Sequence, residues 1–189
     1  MGNLPHNAVS RLAAIGLFIA ALLTAIVATS VSTSAQTLPE PRRLTVAPGI
    51  DAAAAAAMLL PARRYYAFWN TGDERFAVEA LAPDFVDLNL PSGRPQGPEG
   101  PLVASRAFRK AVPDLVASVE EAWVAGDNVI SRYRFSGHFS GTFGDRKGDG
   151  RAISFDAIDI YTIRDGRIAT NWHLEDNLTL LRQLGVVSP

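Results

Sequence analysis

Asp159 and His173 are the side chains best suited to proton chemistry; they lie on two runs of alternating residues either side of Arg164-Asp165-Gly166. Imidazole carries protons near neutral pH, and a carboxylate within hydrogen-bond reach fixes its tautomer and raises its basicity. Such a pair could take a proton from a carbon beside a carbonyl, with Tyr161 or Asn171 as donors to the enolate that forms. The plainer alternative is a structural hydrogen bond between neighbouring strands.

Whether the two side chains meet depends on a hairpin register. Gly166 can take the left-handed conformation that a tight reversal needs, so the runs read as the two arms of a β-hairpin. A two-residue turn at Asp165-Gly166 sets Asp159 opposite Trp172 and sends His173 to the other face. A three-residue loop with Gly166 as a bulge sets Asp159 opposite Asn171 and brings His173 diagonally within reach. Alternation permits both. In the second register Ile158, Ile160, Thr162, Ile168, Thr170, Trp172 and Leu174 form a packed face, while Phe155, Ala157, Asp159, Tyr161, Asn171 and His173 form a pocket wall.

Other polar groups add less. Asp87 could be a second acid or accept from a substrate hydroxyl, or could be a rim carboxylate in water. The string His173-Leu-Glu175-Asp176 suggests a metal at first sight, but alternation sends neighbours to opposite faces and no second histidine has ligand spacing. Asp176 is instead placed to cap a final helical turn. In Asp145-Arg-Lys-Gly-Asp-Gly150 with Asp156, Lys147 stands where a calcium loop needs an oxygen ligand, so the segment reads as a solvated hairpin and no metal is expected. Trp69, Phe85, Tyr133, Phe135 and Phe155 could wall a pocket for a planar or alicyclic ligand; the same residues would fill an ordinary core.

These residues need a scaffold. Asp51 can cap a helix begun by Ala52 to Ala57, which Pro61 kinks or restarts and which runs on with Tyr65, Phe68 and Trp69 at helical spacing to Gly72. A short helix follows from Glu74 to Leu81, then a strand over Phe85–Asn89, then a loop over Pro91–Pro101 too rich in Gly and Pro for regular structure. A third helix spans Leu102 to Val112 with Val103, Phe108 and Val112 inward. Two long strands come next, about Leu115–Val124 and Val129–Phe139. In the second, Tyr133, Phe135 and Phe139 share one face, and Arg132, Arg134 and His138 the other. Leu178 to Leu184 closes the chain as a helical turn ended by Gly185.

The segment Ile158-Asp-Ile-Tyr-Thr-Ile-Arg-Asp-Gly-Arg-Ile168, then Asn171-Trp-His173, Asp176 and Leu180-Leu-Arg-Gln-Leu-Gly185, resembles the carboxy-terminal part of the SnoaL-like polyketide cyclases. These belong, with the ester cyclases, to the nuclear transport factor 2-like superfamily. Phe68-Trp-Asn-Thr-Gly-Asp73 and Leu81-Ala-Pro-Asp-Phe-Val-Asp87 resemble the family's first helix end and first strand, and the likeness covers about residues 60 to 187. It implies an α+β fold: a cone-shaped, curved antiparallel sheet with about three amino-terminal helices closing a pocket. It also implies a cyclase-type activity (cyclisation, isomerisation or dehydration of a small hydrophobic carbonyl compound), with a non-catalytic ligand-binding protein as the alternative. In the cyclases the position matching His173 usually holds an acid/base aspartate and the position matching Asp159 often a histidine; here the two types are exchanged. The resemblance places both in the pocket, implies no cofactor, and carries the expectation of a homodimer paired through the sheet.

Composition narrows the partners. The chain has 189 residues, 48% of them hydrophobic, enough for one ordinary core, and 18 basic against 19 acidic side chains give no basic surface for nucleic acid. There is no cysteine, which removes thiolate chemistry and disulfides and fits an exported bacterial protein without a redox role. Residues 1–35 read as an export signal, with an apolar run from Leu12 to Ala28 and small residues Thr33 and Ala35 before a cut at Gln36. The expected location is periplasmic or secreted; a retained leader would be the one membrane anchor. Residues 36–50, with Pro39, Pro41 and Pro48, read as a linker before a domain over 51–189.

Overall fold

The computed structural model describes residues 37–188, so the expected leader and its cleavage site lie outside the described residues. The first helix, α1, runs unbroken over Ala52–Thr71 with Pro61 inside it. Asp51 caps its start by accepting from the Ala54 amide at 2.8 Å, and Gly72, at φ 76°, closes its end with an N–H bond to the Phe68 carbonyl. Helix α2 (Glu74–Ala80) leads straight into a strand.

Residues 36–50, expected as a linker, contain the edge strand β1 (Arg43–Val46), which pairs with the later strand β3 (Val116–Ala125) in the register Arg43↔Glu121. Arg63 on α1 holds the preceding segment by donating to the Leu38 and Pro39 carbonyls at 2.9 and 3.1 Å. Four alternating residues between prolines are a weak strand signal, and the partner lies far off in sequence.

The remaining elements are β2 (Leu81–Asp87), α3 (Glu99–Ala111), β4 (Asn128–Phe139), the two-residue strands β5 (Thr142–Phe143) and β6 (Arg146–Lys147), β7 (Arg151–Arg164), β8 (Arg167–Glu175) and α4 (Asn177–Gln183). They build a curved six-stranded sheet in the order β1-β3-β4-β7-β8-β2, with β5 and β6 as a small separate hairpin. The four central strands are antiparallel, while β1 runs parallel to β3 and β2 parallel to β8. Helix α3 begins three residues before the expected start, because Pro98 and Pro101 fall where the first turn needs no amide donor. Val103 is 38% exposed rather than inward. Asp176 accepts from the Thr179 amide at 3.0 Å and caps α4.

The concave face of the sheet packs on α1 through Tyr65, Tyr66 and Phe68, all buried, and β4 and β7 contribute Tyr133, Phe135, Phe155 and Tyr161. The convex face leaves Ile158, Trp172 and Leu174 exposed beside a ladder of Arg43, Glu121, Arg132, Asp156 and Arg134.

Candidate active site

The hairpin resolves into a form between the two expected registers. Arg164 pairs with Arg167 across a two-residue turn whose Asp165 and Gly166 sit at φ 52° and 69°, the mirror-image turn that matches strand twist. A bulge then slips the ladder at Ala169: Ile163 faces Ile168, but Thr162 faces Thr170. From there Asp159 stands directly opposite His173 and Tyr161 opposite Asn171, neither Trp172 nor Asn171 facing Asp159. The bulge puts the expected polar set on one face, and it turns Ile168 inward, fully buried, away from Ile158, Trp172 and Leu174.

That face lines a cavity of about 200 Å³ closed by α1, α3 and α4. Of the expected residues, Asp159, His173, Asp87, Asn171, Trp69, Phe85, Phe135 and Phe155 line it. Tyr133 and Tyr161 do not. Both are fully buried behind Asp159, where the Tyr161 hydroxyl donates to Asp159 Oδ2 at 2.5 Å and is itself joined to the Tyr133 hydroxyl. Stacking of Phe135 on Phe155, with centroids 5.2 Å apart, stiffens one wall, and Phe108 packs edge-on against Phe155.

The orientation of His173 differs from expectation. Its Nε2 lies 3.0 Å from Asp87 Oδ2 and its Nδ1 2.9 Å from Glu175 Oε1, so these two carboxylates, rather than Asp159, take its hydrogen bonds. Asp87 comes from β2, parallel to β8, and Glu175 lies two residues along β8 on the same face. Arg94, from the loop after β2, reaches Asp87 at 3.9 Å. Asp159 is held by Tyr161 and, at 3.3 Å, by the Asn171 Nδ2. Because Asp87 and Glu175 occupy opposite ring nitrogens, they do not converge on one point, and among the described residues no acid or histidine cluster is arranged to hold a metal.

Burial opposes a charge on His173, but Glu175, then Asp159 and Asp87, outweigh it and push its pKa up to about 9. Burial drives the Asp159 carboxyl up to about 6, against the pull of Tyr161, His173 and Asn171. Burial is the largest single influence on the Glu175 carboxyl and raises it, but the bond to His173, the charge on that ring and Arg94 together outweigh it and leave the carboxyl lowered. At pH 7 the cone therefore holds a protonated imidazole beside a carboxylate poised to accept a proton.

Arg94, Tyr65 and Phe108 line the site without having been expected there, and so does Glu175, which the sequence offered only in a metal-like string that was set aside. Alternation from His173 marks Glu175, and helical spacing marks Tyr65 and Phe108; no local pattern marks Arg94.

A family model described as SnoaL-like polyketide cyclase matches residues 60–184. Among solved structures, a candidate polyketide cyclase from Bacillus cereus is 41% identical, covers 81% of this chain and 97% of its own, and superposes with a TM-score of 0.71. TsrD from Streptomyces laurentii is 32% identical, covering 70% of this chain and 97% of its own, with a TM-score of 0.63. IdmH from Streptomyces antibioticus, also described as a candidate polyketide cyclase, is 31% identical, covering 67% and 99%, with a TM-score of 0.59. No protein with a curated description matches the chain.

Proposed function

The chain belongs to the SnoaL-like polyketide cyclase family, and from that premise we propose that it is an exported acid/base catalyst acting through its own side chains on a small hydrophobic carbonyl compound. The observation that carries this is a buried carboxyl, Asp159, directly across the strand pair from a charged imidazole, His173, inside an aromatic-walled cavity. The roles follow from protonation. In this reading His173, raised to about 9 with both ring nitrogens donating, serves as the proton donor, and the base expected at His173 is moved to Asp159. Asp159, ionised above about pH 6, takes a proton from the carbon next to the carbonyl. The C–H electron pair moves into an enolate, whose oxygen shares the Nε2–H that Asp87 holds in the free protein. In a cyclisation the enolate carbon then attacks a second carbonyl carbon of the same molecule, and the alkoxide takes back the proton from Asp159. Isomerisation differs only in returning the proton to another carbon.

The test is turnover of a panel of small ketones and diketones by wild type and Asp159→Asn, which keeps the shape and can still accept from Tyr161. A loss of about 10²–10⁴-fold is expected; full turnover in the variant would remove Asp159 from the chemistry. A second reading, capture of a ligand without turnover, is favoured by one observation: both nitrogens of His173 are already closed by carboxylates. Saturable binding with no turnover of any ketone would select it.

Export rests on the leader read in the sequence. Pairing of two copies through the convex sheet face is supported by the exposure of Ile158, Trp172 and Leu174 there.

A further inference from the structure

The cavity in the cone, at about 200 Å³, is smaller than the roughly 300–1,000 Å³ of pockets that enclose a drug-sized ligand. It accommodates a compact head group and little more. Four residues at its mouth, Pro91, Arg94, Ala104 and Phe108, also line a second, open groove of about 490 Å³. That groove runs between the loop after β2, the outer face of α3 and the β5–β6 hairpin.

Two features of the groove lack an explanation in the fold. Val103 and Ala107 lie one helical turn apart on α3 and both face solvent, although Val103 is an apolar residue at a position whose spacing pointed inward. The charge also reverses between the compartments. The cone sets Asp87, Asp159 and Glu175 against His173 and Arg94, whereas the groove shares Arg94, adds Lys110 and is lined by no acidic residue. A molecule whose two ends match these surfaces has an uncharged, planar inner end and an acidic outer end.

We propose that the ligand is two-part: a compact carbonyl-bearing head seated in the cone, and an apolar tail ending in an anion that leaves between Pro91 and Phe108 and lies in the groove across Val103 and Ala107, within reach of Arg94 and Lys110. This rests on the preceding reading only in placing the carbonyl end in the cone. The tail chemistry is that of a carboxyalkyl or phosphorylated chain, since either supplies an anion at the end of a flexible apolar stem.

The test is equilibrium binding, by calorimetry, of three probes: 4-methoxyacetophenone as head alone, methyl 6-(4-acetylphenoxy)hexanoate as head with neutral tail, and 6-(4-acetylphenoxy)hexanoate as head with anionic tail. The neutral tail is expected to tighten binding about tenfold through its methylenes. The anion is expected to add about threefold to tenfold more, an increment that shrinks with salt because the groove is open to solvent. In Lys110→Glu the ratio of the anionic to the neutral probe falls to one or below, and in Val103→Asp the ratio of the neutral probe to the head shrinks; both positions are exposed, so folding is not at stake. Three probes of equal affinity, or ratios unchanged in both variants, would overturn the proposal. Absence of binding by the head itself would instead refute the cone as the carbonyl site.

Discussion

Glu175→Gln removes one negative charge while keeping the side chain's size and its capacity to accept from His173 Nδ1. In the intact protein the imidazole rises from its ordinary 6.5 to about 9, with Glu175 the leading contributor once the opposing cost of burial is overcome. A group raised in this way stabilises the fold fully below the unfolded value of about 6.5, and that contribution is lost as the pH climbs to about 9. At about 1.4 kcal/mol for each pH unit, the loss between pH 6 and pH 9.5 comes to about 3 kcal/mol. The glutamine should lower the His173 midpoint by at least about one unit and shrink the alkaline loss by at least about 1 kcal/mol. Two measurements follow it: imidazole resonances by NMR, and urea unfolding of both proteins across that pH range. A wild-type His173 titrating near 6.5, or identical midpoints in the two proteins, would refute the view that carboxylates hold its proton.

Tyr161→Phe removes the bond that lowers the Asp159 carboxyl, so the acid limb of activity should move above about pH 6; it also strands the buried Tyr133 hydroxyl, at a cost of about 1–3 kcal/mol by denaturant unfolding. An unmoved acid limb would place the base elsewhere. Trp172→Glu puts a charge on the exposed convex face and should convert a homodimer to a monomer in light scattering, with little change in stability; a wild type that is monomeric at high concentration would end the sheet-pairing proposal.

Much of this fold could be read from local patterns. The Asp51 cap, the Gly72 terminus, the Asp165-Gly166 turn and the alternation along β4 each depend on residues close in sequence, and each stands where the pattern put it. The misjudged features depend on partners distant in sequence or on one extra residue. A single bulge at Ala169 decides what faces Asp159, and nothing in the alternation of β8 announces it. Strand β1 forms by pairing along the distant β3, with Arg43 set opposite Glu121, and Asp87 reaches His173 because β2 lies parallel to β8. Tyr133 and Tyr161 share a face with the pocket residues, but how deep a position sits along a curved sheet is not encoded in its period; both hydroxyls ended behind the site rather than in it. Alternation marks Glu175 as a same-face neighbour two residues beyond His173, but its role as the partner of that ring came from the structure, the sequence having pointed to Asp159.

Proton exchange on carbon tests the central claim most directly, because it needs neither the natural substrate nor a completed ring. With 4-methoxyacetophenone in D2O, followed by NMR, the protein should speed replacement of the acetyl hydrogens by deuterium, the rate rising through about pH 6 as Asp159 ionises and falling above about pH 9 as His173 loses its proton. Exchange no faster than in buffer with the ligand bound at saturation, or exchange undiminished in Asp159→Asn, would contradict it.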